Sequence, residues 1–306
     1  MTIAVLTMAY GSPNSMDEVE AYFTDIRGGR RPTPEALEGL IARYARIGGP
    51  STLSQITRLQ ASSLEDRLNT LAPGRFEVFV GMKHWHPYVS EAVEAIAAKG
   101  IKDLIGLVLA PHYSTRSVGQ YRDRIDSAMT NLDAQLRLEM ISSWFESPKF
   151  IDFSAANLMT TLNGWPTHDP GTRVFFTAHS LPESILADGD PYKDQLQASA
   201  KLIADAAGIG DWEVAWQSAS PTHEPWIGPD ILDSLAAFKD QGGRRALVAP
   251  IGFVADHLEI LYDVDVECVE RAEQLGIEFR RTPSPNTDPR FIDALAEVVF
   301  AASRHA

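Results

Sequence analysis

The sequence predicts an α/β protein made of two copies of one parallel-sheet unit. Short apolar runs alternate with longer helical patterns, the strand ends repeat in the same order in both halves, and one insertion accounts for the difference in spacing. Strand–helix–strand alternation implies parallel strands joined by right-handed crossovers. In the first half, residues 3–8, 76–81 and 104–110 read as buried strands rich in Val, Ile, Leu and Phe. In the second half, residues 173–178, 212–217 and 245–249 read the same way. Between strands, Val89, Val93, Ile96 and Ala97 share one helical face over residues 89–98, and a last helix is expected over 288–303.

The repeat is explicit at the strand ends. Ala9-Tyr10-Gly11-Ser12-Pro13 follows the first strand, and Ala178-His179-Ser180-Leu181-Pro182 follows its counterpart. The second pair begins Phe76-Glu77-Val78 and Trp212-Glu213-Val214, and reaches His86-Pro87-Tyr88 and His223-Glu224-Pro225-Trp226. The third pair ends in Ala110-Pro111 and Ala249-Pro250. Each match alone is weak; their shared order implies a duplication. Ala9 and Glu77 stand 68 positions apart, Ala178 and Glu213 only 35. The first copy therefore carries an inserted arm, placed near residues 27–55, where Gly28-Gly29, Pro32, Pro34 and Gly48-Gly49-Pro50 interrupt the periodicity. The expected division is 1–150, 151–287 and a terminal helix, 288–306, packing back on the first unit. Ligands of open parallel sheets sit beyond the carboxyl ends of the strands, so Tyr10 and His179 are expected on opposite walls of one cleft.

Composition excludes several function classes. Lys+Arg total 27 against 41 Asp+Glu, a formal net charge of −14, which opposes nucleic-acid backbones and anionic membranes. A single cysteine, Cys268, rules out an intrachain disulfide and any four-cysteine metal or iron–sulfur site within one chain. No apolar run approaches the roughly 20 residues of a spanning helix, and no basic region precedes the first apolar stretch. The expectation is a soluble, reduced, cytoplasmic protein.

His179 ends an apolar strand, where an imidazole can exchange protons near neutrality or simply cap a turn. Ser180 lacks the flanking glycines of a nucleophile elbow. Glu259, Asp263 and Glu267 repeat every fourth residue, forming on a helix a row of carboxylates beside His257. Such a row suits a hard divalent metal, but in a chain of net charge −14 its spacing alone reads first as a solvated acidic face. Arg27, Arg30, Arg31, Arg43 and Arg46 make the arm locally basic, which fits a planar ligand bearing carboxylates or a solvated surface. Lys83-His84-Trp85-His86 offers either an apparent metal pair or two histidines on one loop face.

Taken together, Tyr44-Ala45-Arg46-Ile47-Gly48-Gly49-Pro50-Ser51, Gly81-Met82-Lys83-His84, Leu109-Ala110-Pro111-His112-Tyr113-Ser114, Ala178-His179-Ser180-Leu181-Pro182-Glu183, Trp216-Gln217-Ser218 and Gly252-Phe253-Val254-Ala255-Asp256-His257-Leu258-Glu259 resemble the ferrochelatase family nearly end to end. Within it, the chain resembles the soluble bacterial branch assigned to coproporphyrin III. The resemblance implies two similar Rossmann-like domains with parallel four-stranded sheets and a porphyrin cleft between them. It implies insertion of Fe2+, as substrate, into a porphyrin with release of two protons, and no resident cofactor or iron–sulfur cluster. His179 and Glu259 are then the central pair, as catalytic residues and metal contacts, with Asp263 and Glu267 extending a metal row outward. Tyr10, Arg27, Arg30, Arg31, Arg46, Ser51, Ser54 and Tyr121 are the implied porphyrin contacts. A monomer without stable membrane association, docking transiently to the next haem-pathway enzyme, is also implied. The rival readings are a protoporphyrin IX ferrochelatase, a sirohydrochlorin-type chelatase and a porphyrin or haem carrier without catalysis.

Overall fold

Two four-stranded parallel sheets with the same strand order form the frame of the computed structural model, which describes residues 2–166, 169–220 and 224–304. The first contains β1 (Ile3–Ala9), β2 (Phe76–Met82), β3 (Asp103–Val108) and β4 (Arg137–Ile141), ordered β2-β1-β3-β4. The second contains β5 (Thr172–His179), β6 (Trp212–Gln217), β7 (Arg245–Ala249) and β8 (Glu278–Arg281), ordered β6-β5-β7-β8. The duplication read from strand ends is thus reproduced in topology. The expected repeat position His223 lies outside the described residues.

Burial explains the strand sequences. Every side chain of β1 is buried because helices cover both faces of its sheet. On one face Leu64 and Leu68 of the helix Leu53–Leu71 pack with Phe291, Leu295 and Val299 of the final helix Pro289–Ala302; on the other, Val93 and Ile96 of the helix Val89–Ala98 pack with Ile125 of the helix Gln120–Asn131. The final helix starts where Asp288 caps the Arg290 amide and Pro289 takes the first turn. Within the second sheet, Val174 and Phe176 face Leu196 and Ile203, whereas Phe175 and Val248 face Leu235 and Val264.

The helix Pro148–Leu162 joins the two cores. Its Phe150 and Phe153 pack in the first, and its Ala155, Leu158 and Leu162 in the second. We propose the division 1–150, 151–287 and 288–306, with this helix as the shared element. The insertion contains the helix Pro34–Arg46, capped by the Thr33 hydroxyl accepting from the Ala36 amide. It leads through the glycine-proline segment to the helix Leu53–Leu71.

Candidate active site

The carboxyl ends of both central strands open into one cavity of about 880 Å3, lined from both halves. That volume lies within the roughly 300–1,000 Å3 of small-molecule sites.

His179 is the last residue of β5. Its Nδ1 meets the Ser180 carbonyl, and its Nε2 lies 3.5 Å from Glu259 Oε1. A carbonyl only accepts, so Nδ1 carries a proton; attraction between Nε2 and a carboxylate requires a second, making the ring an imidazolium. Burial opposes that charge, but the Glu259 carboxylate and the Ser180 carbonyl outweigh it and raise the His179 pKa to about 9. Burial likewise disfavours the Glu259 carboxylate, yet His179 and His257 hold Glu259 well below the ordinary carboxylate range. About a third of each side chain of the pair stays accessible, so both can reach a ligand.

The backbone around the pair is fixed by side chains. The Tyr192 hydroxyl donates to the His179 carbonyl at 3.1 Å. Gln217 Nε2 donates to the Glu259 carbonyl at 2.8 Å, while Gln217 Oε1 accepts from Thr177 at 2.9 Å. His257 donates through Nδ1 to the Ala255 carbonyl at 2.8 Å and places Nε2 3.3 Å from Glu259.

Tyr10 extends from the end of β1, its ring 4.6 Å from that of His84 and under Lys83 Nζ at 5.5 Å. Enclosure first, then the charges of Glu259 and Asp25, push its phenol pKa upward, so it faces the cavity neutral. Tyr121 and Ser51 also line the cavity. Lys83 does so too, its pKa lowered to about 8 by burial and then by Arg124.

Glu259, Asp263 and Glu267 all line the second wall, but not on one α-helix. A short helix, Leu258–Leu261, passes into a π-type segment, Asp263–Cys268, and then the helix Val269–Leu275. The wider π turn offsets the drift of every-fourth-residue positions around an α-helix and keeps the carboxylates on the cavity side. Burial raises the Asp263 pKa against the opposing Arg43 charge; burial and then Asp263 raise that of Glu267. Among the described residues no three His, Cys, Asp or Glu side chains converge to hold a metal. His179, Glu259, Asp263 and Glu267 thus lie as a series along the wall, the arrangement in which the resemblance places its metal row.

The arm departs further from expectation. Arg27, Arg30 and Arg31 are exposed and do not line the cavity; Arg27 lies over Phe23, and Arg30 donates to the Arg27 carbonyl at 3.3 Å. Arg46 pairs on the surface with Glu270 at 2.6 Å. The arginine of this arm that faces the cavity is Arg43, which binds Asp263. Ser54 is buried away from the cavity because its hydroxyl exchanges hydrogen bonds with Ser12, accepting from the amide at 2.9 Å and donating to the carbonyl at 2.9 Å. His84 binds Asp25 at 2.8 Å whereas His86 binds Glu91 on the surface, so these two histidines do not form a metal pair. Arg116, Ser117 and Tyr192 also line the cavity without a distinct sequence signal; Tyr44 and Ser218 stand in the quoted motifs, and Arg43 in the arm's cluster of arginines.

A family model, Ferrochelatase, matches residues 2–303. The chain belongs to the ferrochelatase family. It is 46% identical over 298 residues to a ferrochelatase of Herpetosiphon aurantiacus, covering 97% of each chain. It is 45% identical over 302 residues to a coproporphyrin III ferrochelatase of Geobacillus kaustophilus, covering 98% of this chain and 95% of that one. Among solved structures, SirB from Bacillus subtilis with Fe3+ superposes with a TM-score of 0.62 at 12% identity, covering 99% of this chain and 96% of that one. That likeness extends the two-sheet chelatase fold to this ferrochelatase. No helix among its described residues is long and apolar enough to cross a membrane.

Proposed function

We propose that this ferrochelatase inserts Fe2+ into coproporphyrin III, giving the iron porphyrin and two protons. The observation that carries the reading is the His179–Glu259 pair facing the same cavity as Tyr10. Pyrrole nitrogens release protons reluctantly, and a flat macrocycle hides their lone pairs, so the site must accept protons and strip water from the ion. The resting pair holds one proton as imidazolium and carboxylate. An arriving dication repels the Nε2 proton to solvent. Nε2 and the Glu259 carboxylate then take the two pyrrole protons, and loss of the Glu259 proton to solvent restores the resting pair with two protons released in all. Asp263 and Glu267 offer hard oxygens that replace hydration water without forming one tight cage.

The rim supports a polycarboxylate substrate. Arg43, Lys83 and Arg116 supply cationic donors around the cavity, and Ser51, Ser117 and Tyr121 supply hydroxyls. Arg27, Arg30 and Arg31, exposed and outside the cavity lining, contribute long-range attraction. We also propose that the enzyme acts as a monomer in the cytoplasm without a resident cofactor and hands its product to the next haem-pathway enzyme by transient contact. Anaerobic Fe2+ insertion followed by absorbance, with coproporphyrin III and protoporphyrin IX side by side, tests the substrate. Faster turnover of coproporphyrin III is expected. A protoporphyrin preference keeps the reaction and discards the substrate, and tight binding without insertion of any divalent metal makes the protein a carrier.

A further inference from the structure

The helix Pro34–Arg46 belongs to the insertion of the first half, and the segment Asp263–Cys268 to the acidic wall of the second. Arg43 and Asp263 join them across the cavity. The Asp263 side chain is 6% exposed, whereas that of Arg43 is 36% exposed. Asp263 also accepts from the Ser218 hydroxyl, so its oxygens are engaged by two donors. Asp263 stands between Glu259 and Glu267 in the carboxylate series, and a cation there would need the lone pairs that Arg43 occupies. Guanidinium and dication at contact distance also repel.

Arg43 itself is incompletely satisfied. Its Nη2 binds Asp263, but its Nε is buried without a hydrogen-bond partner among the described residues. Nε and Nη2 together are the edge of a guanidinium that a carboxylate grips bidentately. The group lies 4.6 Å over the Tyr262 ring, a flat surface along which it can turn. Arg46–Glu270, three residues on, ties the end of the same helix to the opposite wall, so exchange at Arg43 needs movement of a side chain and not of the arm.

We propose that Arg43 is an exchange latch that makes cation uptake by the acidic wall conditional on a bound macrocyclic carboxylate. In the empty cleft Arg43 holds Asp263. A carboxylate of the entering macrocycle takes the guanidinium through Nε and Nη2, and Asp263 is released to the metal. The inference rests on the substrate reading above and adds an order of events to it: organic substrate first, metal second.

The test uses the full chain, Co2+ as metal probe and palladium(II) coproporphyrin III as a tetracarboxylate that cannot take a second metal. Calorimetric Co2+ titrations of wild type are expected to show a Kd at least about tenfold tighter with the palladium porphyrin bound, and linkage requires Co2+ to tighten the porphyrin by the same factor. Arg43→Met is expected to bind Co2+ about tenfold more tightly than wild type in the empty cleft, with the porphyrin effect reduced below about twofold. Asp263→Asn breaks the latch from the other side: porphyrin affinity is retained and Co2+ affinity becomes insensitive to porphyrin. An undiminished enhancement in Arg43→Met assigns the effect to the charge of the porphyrin and overturns the latch, as does an unchanged Co2+ Kd in wild type with porphyrin bound. Absence of any Soret shift on adding the porphyrin overturns the substrate reading, and the latch with it.

Discussion

His179 and Glu259 show how one contact changes what a residue can do. From sequence, the natural acceptor of pyrrole protons is a neutral imidazole beside a carboxylate. In the structure the Ser180 carbonyl and Glu259 occupy opposite ring nitrogens, and the imidazole is held charged. In the proposed reaction it accepts a proton only after an arriving dication has expelled one to solvent, which ties proton transfer to metal arrival. His179→Ala is expected to lower Fe2+ insertion at least about 100-fold while leaving porphyrin affinity, read by Soret titration, near wild type. Near-wild-type turnover would remove His179 from the reaction. Ser54 carries the opposite lesson. Its exchange with Ser12 joins the start of the helix Leu53–Leu71 to the segment after β1. Ser54→Ala is expected to cost about 1–2 kcal/mol, a fall in Tm of about 1.5–3 °C for a chain of this size, with KM for porphyrin unchanged. A raised KM with an unchanged Tm would return Ser54 to the binding surface. Arg43 and Arg46 were equivalent as sequence, both basic in the last turn of one helix. Which of them meets the cavity depends on a partner 220 positions away.

At the scale of elements, strongly apolar strands were legible because parallel strands covered on both faces need continuous hydrophobic runs. The helix over residues 89–98 was legible from periodicity, and the last helix, expected over 288–303, runs Pro289–Ala302. The edge strands β4 and β8 carry no such signal: Arg137 and Glu278 are exposed, and Arg281 is tied to Asp265. The π-type segment was equally silent, since its sequence follows an α-helical spacing. One glycine links these elements to the chemistry. A Cβ on Gly252 would lie 2.5 Å from Ala178 Cβ and 2.9 Å from its Cα, next to His179 on β5. The same stretch of chain leads from β7 to His257 and Glu259. Gly252→Ala must therefore push the Glu259 loop away from the His179 strand. A destabilisation of about 1–3 kcal/mol and a kcat loss of order 100-fold, larger than any change in porphyrin KM, are expected from melts and steady-state kinetics. Wild-type kcat in this variant would mean that the pair tolerates displacement.

For the whole molecule, the two halves are held by shared apolar packing and by polar contacts that span the cleft. His112 sits where they meet, stacked on Phe145 with centroids 5.7 Å apart and edge-on to Tyr192 from the second half. Neither ring nitrogen has a hydrogen-bond partner among the described residues, and burial lowers its pKa from 6.5 to about 3. The unfolded chain therefore takes up this proton below pH 6.5 while the folded protein refuses it until about pH 3. Stability from this site is complete above pH 6.5 and is lost as pH falls through that window, by about 2 kcal/mol at pH 5. His112→Phe is expected to flatten the loss of Tm between pH 7 and 5. A variant whose Tm falls as steeply as wild type would place the acid sensitivity elsewhere. By itself the sequence determined the duplicated α/β frame, the inserted arm and the family, and through the family the expectation of a His179–Glu259 pair, because apolar runs, periodicity and motifs at strand ends are local signals. Only the tertiary structure decided that Arg43 and not Arg46 enters the cavity, that Ser54 braces the chain, that the acidic series bends through a π turn and that His179 rests charged. Each depends on groups distant in sequence meeting in a cavity where burial makes their charges count.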